Sequence, residues 1–166
     1  MSINFFDTKC IDKSNRKLFG LCDDLPDNRA YLDEQNGSKW IAVVVNDYQY
    51  DVNFIAIDKC LKTLRIDGTQ DKRCDGLLTH EKTVTFVELK EIGGFSTSWI
   101  KDGEQQLRTS IGYFEKIEEA KNYTVKKAYI ANNEHPKART SQAIRMEKFR
   151  NDTGYILRIE NRIILE

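Results

Sequence analysis

The stretch Thr83 to Lys90, TVTFVELK, constrains this chain more than any other. Side chains alternate in an extended strand, so Val84, Phe86, Glu88 and Lys90 share one face while Thr85, Val87 and Leu89 share the other. Both faces are apolar, as in a strand covered on both sides. Arg73 to Leu78, RCDGLL, is a second short β-prone segment, and the polar turn THEK between the two makes them a β-hairpin. Charges do not belong in such a hairpin without partners, because burying an unpaired carboxylate is costly. Yet Glu88 and Lys90 extend the Val84-Phe86 face, and Asp75 sits among apolar neighbours on the paired strand. The hairpin therefore brings two carboxylates and one ammonium together.

The remaining pattern sets the class. After Gly93-Gly94, the residues Ile100, Leu107, Ile111, Phe114 and Ile117 are spaced by 7, 4, 3 and 3, one stripe of an α-helix over Ser98 to Lys121 with Ser98 as its cap. Val125 to Ala131 reads as a strand and Ser141 to Arg150 as a short helix. Tyr155 to Leu165 reads as a terminal hairpin turning at Glu160-Asn161. Upstream, Trp40 to Val45 and Val52 to Ile57 suggest two strands, or a strand and a helix. The polar run Asp23 to Ser38 crosses the surface and joins a short N-terminal segment to the rest. The order predicts an α/β or α+β fold. At 166 residues this is one domain, with a core over about residues 40–166 and an N-terminal extension, 1–39, that carries no readable motif.

Two converging carboxylates raise each other's pKa unless a cation lies between them. A hard divalent ion such as Mg²⁺ suits that arrangement, and a neighbouring lysine orients the attacking water or stabilises charge on a phosphate. Together these are the parts of metal-assisted phosphodiester hydrolysis. The pattern Asp75-x12-Glu88-Leu89-Lys90 on two successive apolar strands, followed by a glycine break and a long amphipathic helix, resembles the PD-(D/E)XK nuclease superfamily over roughly Val52 to Ala131.

The resemblance implies a restriction-endonuclease-like α/β fold, a central mixed β-sheet flanked by helices. It also implies Mg²⁺ or Mn²⁺ held by Asp75, Glu88 and the Leu89 backbone carbonyl, with Lys90 as the catalytic lysine. Related members carry a glutamine on the helix after the ExK strand. Gln105-Gln106-Leu107 occupies that place, and Gln106 is favoured because it recurs with Trp99 and Tyr113 every seven residues. Cys74 replaces the proline of the family name, and the additional acid on an upstream helix has only Glu34, Asp51 and Asp58 as candidates. The activity implied is hydrolysis of DNA, in repair, restriction or phage defence, with a homodimer or a partner protein plausible by analogy. The alternative is a catalytically inactive member of the same fold, an immunity-type protein that binds a protein or nucleic-acid partner.

The formal net charge is zero, with 26 basic and 26 acidic residues, which by itself argues against nucleic acid. The average conceals residues 121–150, which carry eight basic and two acidic side chains. Lys121, Lys126, Lys127, Lys137, Arg139, Arg145, Lys148 and Arg150 supply the charge, all but the first forming the predicted backbone-binding set. His135, beside Pro136, reads as a loop residue. Four scattered cysteines and two histidines lack zinc-site spacing and predict free, mostly buried thiols. The longest strictly apolar run is Ile41 to Val45, and no secretory leader pattern is present, so a cytoplasmic protein without a membrane span is expected.

Overall fold

The computed structural model describes residues 3–24, 26–61, 72–138 and 141–166. Among the described residues, ten strands form two sheets. The larger has the order β1 (Ile11–Ser14), β5 (Val52–Ala56), β6 (Gly76–His80), β7 (Thr83–Lys90), β8 (Val125–Asn132) and β9 (Ile156–Arg158). The smaller has the order β10 (Arg162–Ile164), β4 (Ala42–Val45), β2 (Leu18–Cys22) and β3 (Tyr31–Asp33). In the larger sheet β1, β5, β6 and β7 are mutually antiparallel neighbours, whereas β7, β8 and β9 are parallel. Parallel neighbours need crossover connections, and α1 (Ser98–Phe114) and α2 (Ala143–Thr153) provide them. The result is an α/β fold built on a mixed sheet.

The two faces of that sheet are covered differently. Val84, Phe86, Ala128 and Ile130 turn toward α1 and α2, in one core with Leu107, Ile111, Phe114 and Phe149. Val87, Leu89, Tyr129 and Ala131 turn the other way and pack with Phe19, Leu21 and Val44 of the smaller sheet. Among the described residues, helices therefore flank one face, and a second sheet covers the other. Every residue of β7 from Thr83 to Leu89 is buried, as its doubly apolar pattern requires. Gly103 lets α1 lie close to β8, because a Cβ there would stand 3.1 Å from Ile130 Cγ2.

Several expectations are corrected. Residues 3–24 and 26–39 are no appendage: β1 extends the larger sheet and β2 is an inner strand of the smaller one. Tyr155 to Leu165 is not a hairpin, since β9 joins β8 in one sheet while β10 joins β4 in the other, both in parallel. α1 stops at Phe114, and a 3-10 turn, Glu118–Asn122, follows while Ile117 stays buried. The cap position is Thr97, not Ser98, and Ser98 N–H donates instead to Ser96 Oγ at 3.3 Å.

Cys10 and Cys60 are disulfide-bonded, contrary to the expected free thiols, whereas Cys22 and Cys74 are free and buried. Pairing of β1 with β5 explains the bond, since Cys10 just precedes β1 and Cys60 lies in the turn after β5, at the same end of the sheet. Among the described residues no helix is long and apolar enough to cross a membrane.

Candidate active site: an acid pair, a lysine and a glutamine

The β6–β7 ladder pairs Gly76 with Val87, which brings Asp75, the residue before β6, opposite Glu88. The two then interlock. Asp75 N–H donates to Glu88 Oε1 at 3.1 Å, and Leu89 N–H donates to Asp75 Oδ2 at 2.7 Å. Both side chains are almost fully buried, 8% exposed for Asp75 and 3% for Glu88. Burial, and after it the neighbouring charge of Glu88, pushes the Asp75 carboxyl well above the usual carboxylate range. Burial raises Glu88 as well, against the opposing pull of the Lys90 ammonium.

Lys90, one alternation beyond Glu88 on the same face, closes the group. Its Nζ lies 3.0 Å from Glu88 Oε2 and donates to Gln106 Oε1 at 2.8 Å. Gln106 in turn donates from Nε2 to the Arg73 carbonyl at 3.3 Å. One turn further along α1, Ser110 Oγ accepts from Cys74 N–H at 3.0 Å. Helix α1 thus fixes both the lysine and the backbone leading into Asp75. A cleft of about 330 Å³ opens here, lined by Asp58, Lys72, Arg73, Lys90, Asp102, Gln105 and Gln106.

The three upstream acids fare differently. Glu34 accepts from the Ser14 hydroxyl at 2.7 Å and pairs with Arg16 at 3.2 Å. Asp51 is exposed and precedes β5, at the end of that strand away from Ala56, the residue paired with Gly76. Only Asp58 lines the cleft, 3.8 Å from an Arg73 guanidinium nitrogen. A residue the sequence reading passed over stands closer in effect. Asp23, at the end of β2, adds to the upward pull on Asp75, and its own carboxyl is raised by burial and by the charges of Asp58, Glu91 and Asp24. No sequence signal marks it, since it falls in the polar run read as surface.

The basic residues of 121–150 do not form one face. Lys126 points to the helix side and pairs with Glu115 at 2.7 Å, while the alternation of β8 turns Lys127 the other way, 3.9 Å from Glu166. Arg145 pairs with Glu104 at 2.5 Å and Lys148 with Asp152 at 3.5 Å. The backbone of Lys137 forms an isolated antiparallel β-bridge with Glu160, Arg150 is exposed on α2, and Arg139 lies outside the described residues. Acids from elsewhere in the chain therefore offset part of the segment's charge. His135 is not a plain loop residue: it is buried and stacks on Trp99, with ring centroids 5.7 Å apart and planes 4° from parallel.

Among the described residues no three His, Cys, Asp or Glu side chains gather at metal-ligand spacing, so the acids form a pair. The pair nonetheless fits a divalent cation. Two buried carboxylates beside one ammonium leave a net negative charge when both are ionised, and their oxygens are the donors that Mg²⁺ prefers. Comparison of the chain with protein-family models, curated proteins and solved structures gives no match.

Proposed function

We propose that the chain is a Mg²⁺-dependent nuclease of the PD-(D/E)XK class, with a restriction-endonuclease-like core, that hydrolyses DNA phosphodiester bonds. The observation that carries the reading is the meeting of the Asp75 and Glu88 carboxylates with a Lys90 ammonium clamped by Gln106. The order β5-β6-β7-α1-β8, three antiparallel strands and then a helical crossover to a parallel neighbour, agrees with it. Asp75, Glu88 and the Leu89 carbonyl would hold the ion. When bound, Mg²⁺ supplies Lewis acidity toward the phosphate and a more acidic water.

The chain's own groups have separate tasks. Lys90 Nζ donates toward the attacking water and the phosphate oxygens, where negative charge grows as the new P–O bond forms and the old one breaks. Gln106 is a positioning residue, because its Oε1 fixes the ammonium and its Nε2 is anchored on the Arg73 carbonyl. Lys72, exposed at the cleft, offers a second cation to the strand.

Purified protein is expected to nick plasmid DNA or degrade oligonucleotides in Mg²⁺ or Mn²⁺ but not in EDTA. Glu88→Ala and Lys90→Ala should each lower the rate by about 10²–10⁴ while far-UV circular dichroism stays unchanged. Gln106→Ala should cost about 10–100-fold, as loss of a supporting partner does. Undiminished cleavage by Lys90→Ala sinks the lysine assignment. Inactivity of the wild type on single-stranded, double-stranded and branched DNA favours the alternative, an inactive nuclease-fold binding protein.

A further inference from the structure

Another concavity shares no lining residue with the cleft and takes no part in the chemistry above. It has a volume of about 200 Å³ and is lined chiefly by Gly94, Phe95, Thr97, Trp99, Ile100 and His135. Its walls are built from both strands that end at the site. The 91–97 loop leaves β7 directly after Lys90, and Asn132, the register partner of Lys90, straps it down through bonds to Ile92 N–H at 3.2 Å and Ile92 carbonyl at 2.9 Å. His135 lies three residues past Asn132, whose carbonyl accepts from His135 N–H at 3.1 Å.

Three features describe the occupant. Phe95 is 89% exposed at the rim, a large ring that the fold itself does not bury. The floor is aromatic, with Trp99 and His135 stacked in parallel. His135 is 8% exposed, and its Nε2 has no hydrogen-bond partner among the described residues, a cost that buried polar groups ordinarily avoid. An apolar cavity of about 150 Å³ holds a benzene ring, so this one accepts a flat heteroaromatic ring with polar edges.

Reach fixes the source of that ring. Phe95 lies five positions past Lys90, a span of at most about 18 Å, and His135 three positions past Asn132, a span of at most about 11 Å. A nucleic-acid strand rises about 3.4 Å per stacked nucleotide. The pocket is therefore within about five nucleotides of a phosphate held at Lys90.

We propose that this pocket receives an unpaired nucleobase of the bound strand, stacked on Phe95; the inference rests on the nuclease reading and extends it to a substrate with single-stranded character. Bases within a duplex are stacked and paired, so only an unpaired one enters. Aromatic stacking of this kind tolerates any base.

The test is fluorescence anisotropy with a labelled oligothymidylate and with an abasic strand of the same length. Both are measured in Ca²⁺, with integrity checked on a denaturing gel. Wild type is expected to bind the base-containing strand about tenfold more tightly than the abasic one. Phe95→Ala should remove that preference and leave abasic binding unchanged, while Phe95→Trp retains it. Equal affinity of the wild type for the two strands, binding of neither, or an equal loss on both in Phe95→Ala overturns the proposal. Cleavage of the same strands in Mg²⁺ is scored separately. Base preference without cleavage keeps the pocket and removes the nuclease reading, and cleavage without base preference does the reverse.

Discussion

Asp75→Asn should make the metal-free protein less sensitive to pH, and the size of the change follows from the burial of the acid pair. Asp75 and Glu88 both have carboxyl groups raised above their ordinary values in the folded chain. A carboxyl raised on folding binds its proton more tightly in the native state. Its contribution to stability is full below the unfolded pKa, about 4, and is lost as pH rises through the folded value. While the pair keeps one proton that the unfolded chain has released, stability falls by about 1.4 kcal/mol per pH unit. For a chain of this size that is about 3–6 °C in Tm per unit.

Asparagine preserves the shape and still accepts from Leu89 N–H, but it removes the titrating group. Calorimetry of both proteins in EDTA at pH 5 and 6 should therefore show a drop for the wild type that Asp75→Asn lacks. His80 works in the opposite direction, because burial lowers its pKa and its contribution grows as pH rises, but it is common to both proteins and cancels in the difference. If Mg²⁺ binds the pair as proposed, it competes with the proton and should stabilise the wild type more at pH 8 than at pH 5; at a hundredfold excess over Kd the total stabilisation is about 2.7 kcal/mol. Parallel pH slopes for the two proteins in EDTA would refute the claim that the pair stores a proton.

The remaining predictions concern the frame around the pair. The Cys10–Cys60 bond closes a loop with a sequence separation of 50, for which chain entropy gives about 4 kcal/mol of stabilisation. A reductant, or the Cys10→Ser/Cys60→Ser double variant, should lower Tm by about 8–16 °C. Titration of the denatured, unreduced chain should find two thiols, those of Cys22 and Cys74, and a count of four overturns the bond. Gly76→Ala should destabilise by about 1–3 kcal/mol in urea unfolding, because the new Cβ would stand 2.5 Å from the Phe54 ring and 2.7 Å from the Ile55 carbonyl oxygen. Gly112→Ala, an exposed helix position with nothing within 4 Å, should instead stabilise by about 0.5–1 kcal/mol, so equal losses at the two glycines refute the packing argument.

What was legible in the sequence divides along the range of the interactions involved. The β6–β7 hairpin, β8 and α2 came from local pattern with ends shifted by at most about three residues, and α1 was found at its start but ends seven residues before the expected Lys121. Pattern misled where one periodicity served two structures. Ile117 continues the stripe of α1 but reaches the core from a turn, and Ile156 to Ile164 alternate like a hairpin while serving two different sheets. The count of basic charge over 121–150 was correct, yet strand alternation separates Lys126 from Lys127, and acids as distant in sequence as Glu104 and Glu166 draw close to it.

The same distinction explains the site. Asp75, Glu88 and Lys90 were readable because charge inside a doubly apolar hairpin is costly enough to stand out within eighteen residues of sequence. The smaller sheet behind them was not, because two of its strands, Leu18–Cys22 and Tyr31–Asp33, are short and alternate too weakly to announce a sheet. That sheet is what buries the second face of β7, with Val87 and Leu89 packed against its strands. It is also what brings Asp23 within electrostatic reach of Asp75. The proton affinity of Asp75 thus depends in part on a residue more than fifty positions upstream. A change at Asp23 should therefore shift the pH response of Asp75 without touching either carboxylate.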